Sequence, residues 1–273
     1  MTTTLPPLVS ANWLAAELGA PDLLILDATL FLPAHGRDAR AEYDTAHLPG
    51  TVFMDLKRFQ PLPEPERLRA MLAELGAGEG VRAVVYDNSP LRSAARGWWL
   101  LRRVGVNAAV LNGGLVKWQS EGHAVESGPG PLARAGALGA VPPAVRAVDK
   151  AELMRSAPAQ LVDARSGPRF RGEEAEPRPD IAPGHIPGSR NLPYGELFRP
   201  DGTYKPAGEL RAALEAAGVN PAEPFVATCG SGVTASNIVL AAEMLGNRDV
   251  RLYDGSWTEW GADPATPKAL GPA

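Results

Sequence analysis

The chain has 273 residues, 45% of them hydrophobic and 21% charged, with a formal net charge of −4. That length suits two domains of ordinary size, and that balance suits a globular protein. There is no basic run and no apolar stretch long enough for a bilayer, which argues against nucleic acid and membrane as partners. The start, residues 1–7, lacks the basic and apolar regions of a signal peptide. The single cysteine, Cys229, excludes an internal disulfide, and both features predict a cytoplasmic protein.

In chain order, Ser10 is placed to cap a short helix over 11–18 that stops at Gly19. Leu23-Leu24-Ile25-Leu26-Asp27-Ala28 predicts a buried strand with a carboxylate at its end. A short helix over 37–46, a turn at His47-Leu48-Pro49-Gly50 and a short strand over 51–54 follow. Leu68, Met71, Leu72 and Leu75 form the apolar face of a helix over 64–75, closed by Gly76. Ala83-Val84-Val85-Tyr86 predicts another buried strand. After it come a helix over 92–104, a strand over 108–111, a turn at Gly113-Gly114 and a helix from 115 to 121.

Composition then shifts. Gly128-Pro129-Gly130-Pro131 and Val141-Pro142-Pro143 bracket an Ala/Gly stretch without apolar periodicity, which predicts a linker over 128–146. Beyond it the order repeats. Leu161-Val162-Asp163-Ala164 matches Leu26-Asp27-Ala28, and His185-Ile186-Pro187-Gly188 matches the earlier His turn. A constant offset of 142 takes Asp87 to Cys229, Gly113 to Gly255 and Trp118 to Trp260. The chain therefore reads as two α/β domains, 1–127 and 147–273, each with a mostly parallel sheet flanked by helices.

Cys229 follows the apolar run Pro224-Phe225-Val226-Ala227 and precedes an Ala/Leu-rich helix from Ser236 that stops at Gly246. Ligands of open α/β sheets bind at this carboxyl end of the strands. Gly230 and Gly232 are expected to take φ > 0 and turn loop N–H groups toward one point, with Ser231 and Thr234 adding hydroxyls. Such a ring, beside a helix N-terminus, favours the thiolate of a sulfur at its centre. A lone cysteine is more often a small buried hydrophobe. Structural cysteines rarely sit among Gly-Ser-Gly-x-Thr between strand and helix, so the nucleophile reading is preferred.

Cys229-Gly230-Ser231-Gly232-Val233-Thr234 resembles the active-site loop of the 3-mercaptopyruvate sulfurtransferases, within the tandem-domain rhodanese superfamily. The resemblance spans about 24–260 and includes Tyr253-Asp254-Gly255-Ser256-Trp257. It implies two tandem rhodanese-like domains and a sulfurtransferase that takes sulfur from a small-molecule donor onto Cys229 as a persulfide. The sulfur passes to a thiol acceptor, a small thiol or a thioredoxin-like protein, or to cyanide, without a cofactor or metal. It assigns Cys229 and Ser231 to catalysis, and Gly230, Gly232, Val233 and Thr234 to substrate binding. Arg169 and Arg178 match the family's two substrate-binding arginines, and a guanidinium fork suits an α-keto acid. From composition alone, arginines in this Glu-rich stretch would pair with Glu173, Glu174 or Glu176.

In the first repeat the cysteine position holds Asp87, followed by Asn88-Ser89-Pro90-Leu91, so that domain reads as catalytically silent. One departure stands out. Lys57 occupies the place where vertebrate members carry an Asp, and no His follows, so neither of those roles is carried over. His47 and His185 occur once per repeat, which favours backbone-bonded turn residues over general bases. Two alternatives remain, and a third, the cysteine phosphatase, is set aside. A thiosulfate sulfurtransferase is one, although its relatives carry basic residues where this chain has Gly230 and Ser231. A non-catalytic persulfide carrier or interaction module is another. A cysteine phosphatase would need an arginine where Ala235 stands.

Overall fold

The computed structural model describes residues 4–139 and 143–273. Ala140, Val141 and Pro142 of the predicted linker, and the first three residues, lie outside them. The chain divides into two compact units. One runs to Ala144 and also takes in Pro200–Tyr204; the other is Val145–Arg199 with Lys205–Ala273.

The first unit contains β1 (Leu8–Val9), α1 (Ala11–Glu17), β2 (Leu23–Asp27), α2 (Ala39–Thr45), β3 (Val52–Phe53), α3 (Pro65–Glu74), β4 (Arg82–Tyr86), α4 (Ala94–Arg103), β5 (Asn107–Leu111) and α5 (Gly114–Ser120). The second contains β6 (Arg146–Val148), α6 (Lys150–Arg155), β7 (Leu161–Asp163), α7 (Gly167–Arg171), β8 (Arg190–Asn191), α8 (Ala207–Ala216), β9 (Phe225–Thr228), α9 (Ala235–Met244), β10 (Val250–Tyr253) and α10 (Ser256–Trp260). Every strand pair is parallel, and the sheet orders are β1-β5-β4-β2-β3 and β6-β10-β9-β7-β8. The same element therefore lies in the middle of each sheet: β4 in the first and β9 in the second.

Local chemistry sets the helix starts. Ser10 Oγ accepts the Trp13 N–H at 3.2 Å, and the Asp149 carboxylate accepts the Glu152 N–H at 2.7 Å. The central strands are apolar because helices cover both faces of a parallel sheet. Val84, Val85 and Tyr86 of β4 and every residue of β9 are buried. The helices that follow them are apolar nearly all round. Residues 94–101 of α4 and 235–242 of α9 are all buried, which seats the first turn of each helix deep in its unit.

The described residues 128–139 of the predicted linker run along the first unit. Gly128 N–H donates to Asp44 O at 2.7 Å, and Gly136 N–H to Ala73 O at 2.8 Å. The excursion 200–204 joins that unit through Tyr204 N–H, which donates to Asn112 Oδ1 at 2.9 Å. No helix of the described residues is long and apolar enough to cross a membrane.

Candidate active site

Cys229 stands one residue beyond the carboxyl end of β9, the middle strand of its sheet, and is a free, buried thiol. The loop that carries it is tied to α10. Trp257 N–H donates to Cys229 O at 2.9 Å and Thr258 N–H to Gly230 O at 3.0 Å. The Thr258 hydroxyl adds a second bond to Gly230 O at 2.5 Å. Ser256 Oγ accepts the N–H groups of Cys229 at 3.2 Å and Gly232 at 3.0 Å, and donates to Tyr253 O at 2.8 Å.

Two expectations for this loop need correction. Only Gly232 takes a left-handed backbone, with φ of 75°; Gly230 does not. The N–H groups of Cys229 and Gly232 turn toward the Ser256 hydroxyl, so they are spent on holding the loop. Among the described residues, the N–H groups of Gly230, Val233 and Thr234 donate to no protein acceptor. Ser231 and Thr234 are half-buried and Val233 is buried. Thr234 ends the loop in helical geometry, and its side chain does not cap α9.

Glycine at 230 serves proximity instead of turning. A Cβ there would lie 3.1 Å from Arg169 Nη2, so the guanidinium rests against the loop backbone. Arg169 comes from α7 and is held from the other side by Glu176. Its Nη2 donates to Glu176 Oε2 at 2.6 Å and its Nε to Oε1 at 3.3 Å. Arg165 Nη1 donates to the same Oε1 at 2.8 Å. Arg165 in turn grips both oxygens of Asp163 and the carbonyl of Gly184, with its guanidinium 4.6 Å from the Trp257 ring centroid. Burial works against the charge on Arg165, but the Asp163 and Glu176 carboxylates outweigh it and hold the group more firmly protonated than usual.

Arg178 reaches the loop by another route. Its Nη1 donates at 3.0 Å to the Thr258 hydroxyl, the group that bonds Gly230 O. Arg169 and Arg178 thus flank one residue of the cysteine loop. Arg171, with no such link, pairs with Glu173 at the surface.

The first unit shows the same loop filled differently. The Asp87 carboxylate accepts the N–H of Ser89 at 2.8 Å and of Ala94 at 2.7 Å. Loop donors and the start of α4 thus close on a carboxyl group that belongs to the chain, one that burial pushes up from its ordinary pKa. The two turn histidines are structural. His47 Nδ1 lies 2.8 Å from Tyr43 O, and His185 Nδ1 lies 2.9 Å from Phe170 O. Each ring stacks on the aromatic ring that precedes it in the chain. Near Lys57, the Asp55 carboxylate caps the Lys57 N–H at 3.0 Å.

Arg165 and Thr258 were not singled out by sequence; Ser256 was quoted only within a matching motif, and Glu176 was named only as one of three carboxylates the arginines would pair with, as Arg169 does. A usable signal existed for Arg165. Aligned repeats read Asp27-Ala28-Thr29 and Asp163-Ala164-Arg165, and the third position is where they differ.

A Rhodanese-like domain model matches residues 10–121 and 147–263. The chain is 41% identical over 270 residues to the human 3-mercaptopyruvate sulfurtransferase, covering 93% of this chain and 91% of that one. It is 38% identical over 271 residues to the 3-mercaptopyruvate sulfurtransferase of Escherichia coli K12, covering 95% and 96%. The crystal structure of SseA from Escherichia coli superposes with a TM-score of 0.81 at 36% identity, covering 93% of this chain and 99% of that one.

Proposed function

This chain belongs to the rhodanese family, and from that premise we propose that it is a sulfurtransferase that takes sulfur from 3-mercaptopyruvate onto Cys229. The observation that carries the reading is the meeting at Gly230: the chain's only cysteine, at the end of the middle strand, with Arg169 against its loop and Arg178 joined through Thr258.

The Cys229 thiolate attacks the substrate sulfur, and the carbon–sulfur bond breaks. Its electron pair moves through the adjacent ketone to give the enolate of pyruvate, which a proton converts to pyruvate. The transferred sulfur keeps its hydrogen, so Cys229 becomes a persulfide. An acceptor thiolate, or cyanide, then attacks the outer sulfur and Cys229 leaves as thiolate. Arg169 and Arg178 hold the carboxylate and polarise the keto oxygen, where negative charge grows as the bond breaks. Ser231, Thr234 and the N–H groups of Gly230, Val233 and Thr234 stabilise negative charge on substrate and persulfide, and Gly232 shapes the turn that presents them. The first unit is silent. The acceptor is a small thiol or a thioredoxin-like protein, and the working compartment is the cytoplasm.

Incubation with 3-mercaptopyruvate should add one sulfur atom to the intact mass and release pyruvate. Cys229→Ser should abolish both, and a serine variant that still turns over would defeat the reading. Thiosulfate is a dianion with no ketone or carboxylate to engage the arginines, so kcat/KM for mercaptopyruvate should exceed that for thiosulfate with cyanide as common acceptor.

A further inference from the structure

Arg169 is the cation nearest the loop backbone at Gly230, yet its charge is not left to act alone. Glu176 lies between two arginines with its side chain only 4% exposed. It binds Arg169 through Nε and Nη2, and Arg165 through Nη1. Arg165 is itself matched by Asp163. The four side chains carry two positive and two negative charges and sum to zero. Among the described residues, Arg169 Nη1 makes no hydrogen bond, so one edge of the guanidinium remains for a ligand.

We infer that Glu176 is a specificity-determining residue: it fixes the orientation of Arg169 against the loop and balances its charge, so that the site favours a monoanionic keto acid over the thiosulfate dianion. This rests on the sulfurtransferase reading above. Two physical effects support it. A bidentate carboxylate holds a planar guanidinium in one orientation, which leaves its free edge aimed and lowers the ordering cost when a donor binds. A net cation beside the sulfur would attract a dianion more strongly than a monoanion, and in a partly buried site that difference is weakly screened. Glycine and serine after the cysteine add no charge to the loop, so the balance is set in the layer behind it.

The test is steady-state kinetics of the full chain with mercaptopyruvate and thiosulfate, cyanide as acceptor, for wild type, Glu176→Gln and Glu176→Asp. The Gln variant keeps an oxygen for the arginines but leaves one positive charge unbalanced. It should raise the thiosulfate-to-mercaptopyruvate ratio of kcat/KM about tenfold, mainly through a lower KM for thiosulfate. The Asp variant keeps the charge but is too short to bridge both arginines. KM for mercaptopyruvate should rise severalfold with kcat nearly unchanged, while kcat/KM for thiosulfate stays within about twofold of wild type. A residue that only braces the fold would lower both donors together. An unchanged ratio in Glu176→Gln, or a ratio that rises there without a gain in kcat/KM for thiosulfate, would overturn the inference. Should the Gln variant not fold, the Asp variant decides alone, and an unchanged KM for mercaptopyruvate overturns it. A wild-type chain active on its donors with a flat response at 176 defeats this inference only. A wild-type chain that turns over neither donor defeats the functional reading as well.

Discussion

The Ser256 hydroxyl satisfies two loop N–H groups and one carbonyl with a single oxygen, in a fully buried position. Ser256→Ala would strand those groups away from water, a cost of about 1–3 kcal/mol. The expected outcome is a lower melting temperature together with a fall in kcat, because the loop that carries Cys229 loses its anchor; thermal denaturation and turnover measured on the same preparation check this. Gly230 makes a different point. Ala at 230 would place its Cβ 3.1 Å from Arg169 Nη2, the far end of a flexible side chain. Stability should hardly change, while KM for mercaptopyruvate rises as the guanidinium is pushed off the loop. Arg178→Ala removes a charge-assisted contact worth about 1.5–3 kcal/mol, or roughly ten- to a hundredfold in kcat/KM, and should cost mercaptopyruvate more than thiosulfate. Donor ratios for the variant read this directly.

The equivalent strands β2 and β7 end in the same residue with opposite surroundings. Asp163 meets Arg165, whereas Asp27 meets Thr29, whose N–H donates to it at 2.8 Å. Without a cation, burial pushes the Asp27 carboxyl up to about 6, with the Thr29 hydrogen bonds opposing the rise. Its folded value lies above its unfolded one, so the folded chain binds the extra proton between them. That contribution to stability is fully present below about pH 4 and is lost as pH rises through about 6. Asp27→Asn removes the titration. The stability of the variant relative to wild type should therefore climb by roughly 2–3 kcal/mol between pH 4 and pH 7. Denaturant unfolding across that range measures it, and a flat difference would mean that the end of β2 is solvated. Strand identity was legible for the middle of each sheet, where Ala83-Val84-Val85-Tyr86 and Phe225-Val226-Ala227-Thr228 are continuous apolar runs. It was not legible for β1, β6 and β8, which are two or three residues long and lie at sheet edges. Pieces that short carry no periodic signal, and pairing with a neighbour alone makes them strands.

Across the whole molecule the proposed function gives the duplicated fold one working loop. In the first unit Asp87 draws the Ser89 and Ala94 N–H groups onto its own carboxylate. Asp87→Cys would leave those donors unpaired at a cost of about 1–3 kcal/mol and would not add a second site. Donor-treated variant should gain one sulfur, located on Cys229 by peptide mapping; persulfide on both cysteines at similar rates would contradict the silence of the first unit. Arg169 and Arg178 were singled out only by the family resemblance, whereas the repeat, the parallel α/β architecture and the cysteine loop were readable in the sequence itself. The last three depend on local apolar runs, on glycine spacing and on an offset of 142 that survives in plain text. What only the tertiary structure decided is how those parts are held. Ser256 takes two of the loop N–H groups, those of Cys229 and Gly232, that had been expected to face the sulfur. Gly230 makes room for a guanidinium instead of turning the chain, and Glu176 and Arg165 stand behind Arg169. Gly232 meets Ser256 and Gly230 meets Arg169 from tens of positions away, and Glu176 bridges arginines seven and eleven residues before it; no spacing rule encodes these contacts, because they exist only once parallel strands have brought separate loops to the same end of one sheet.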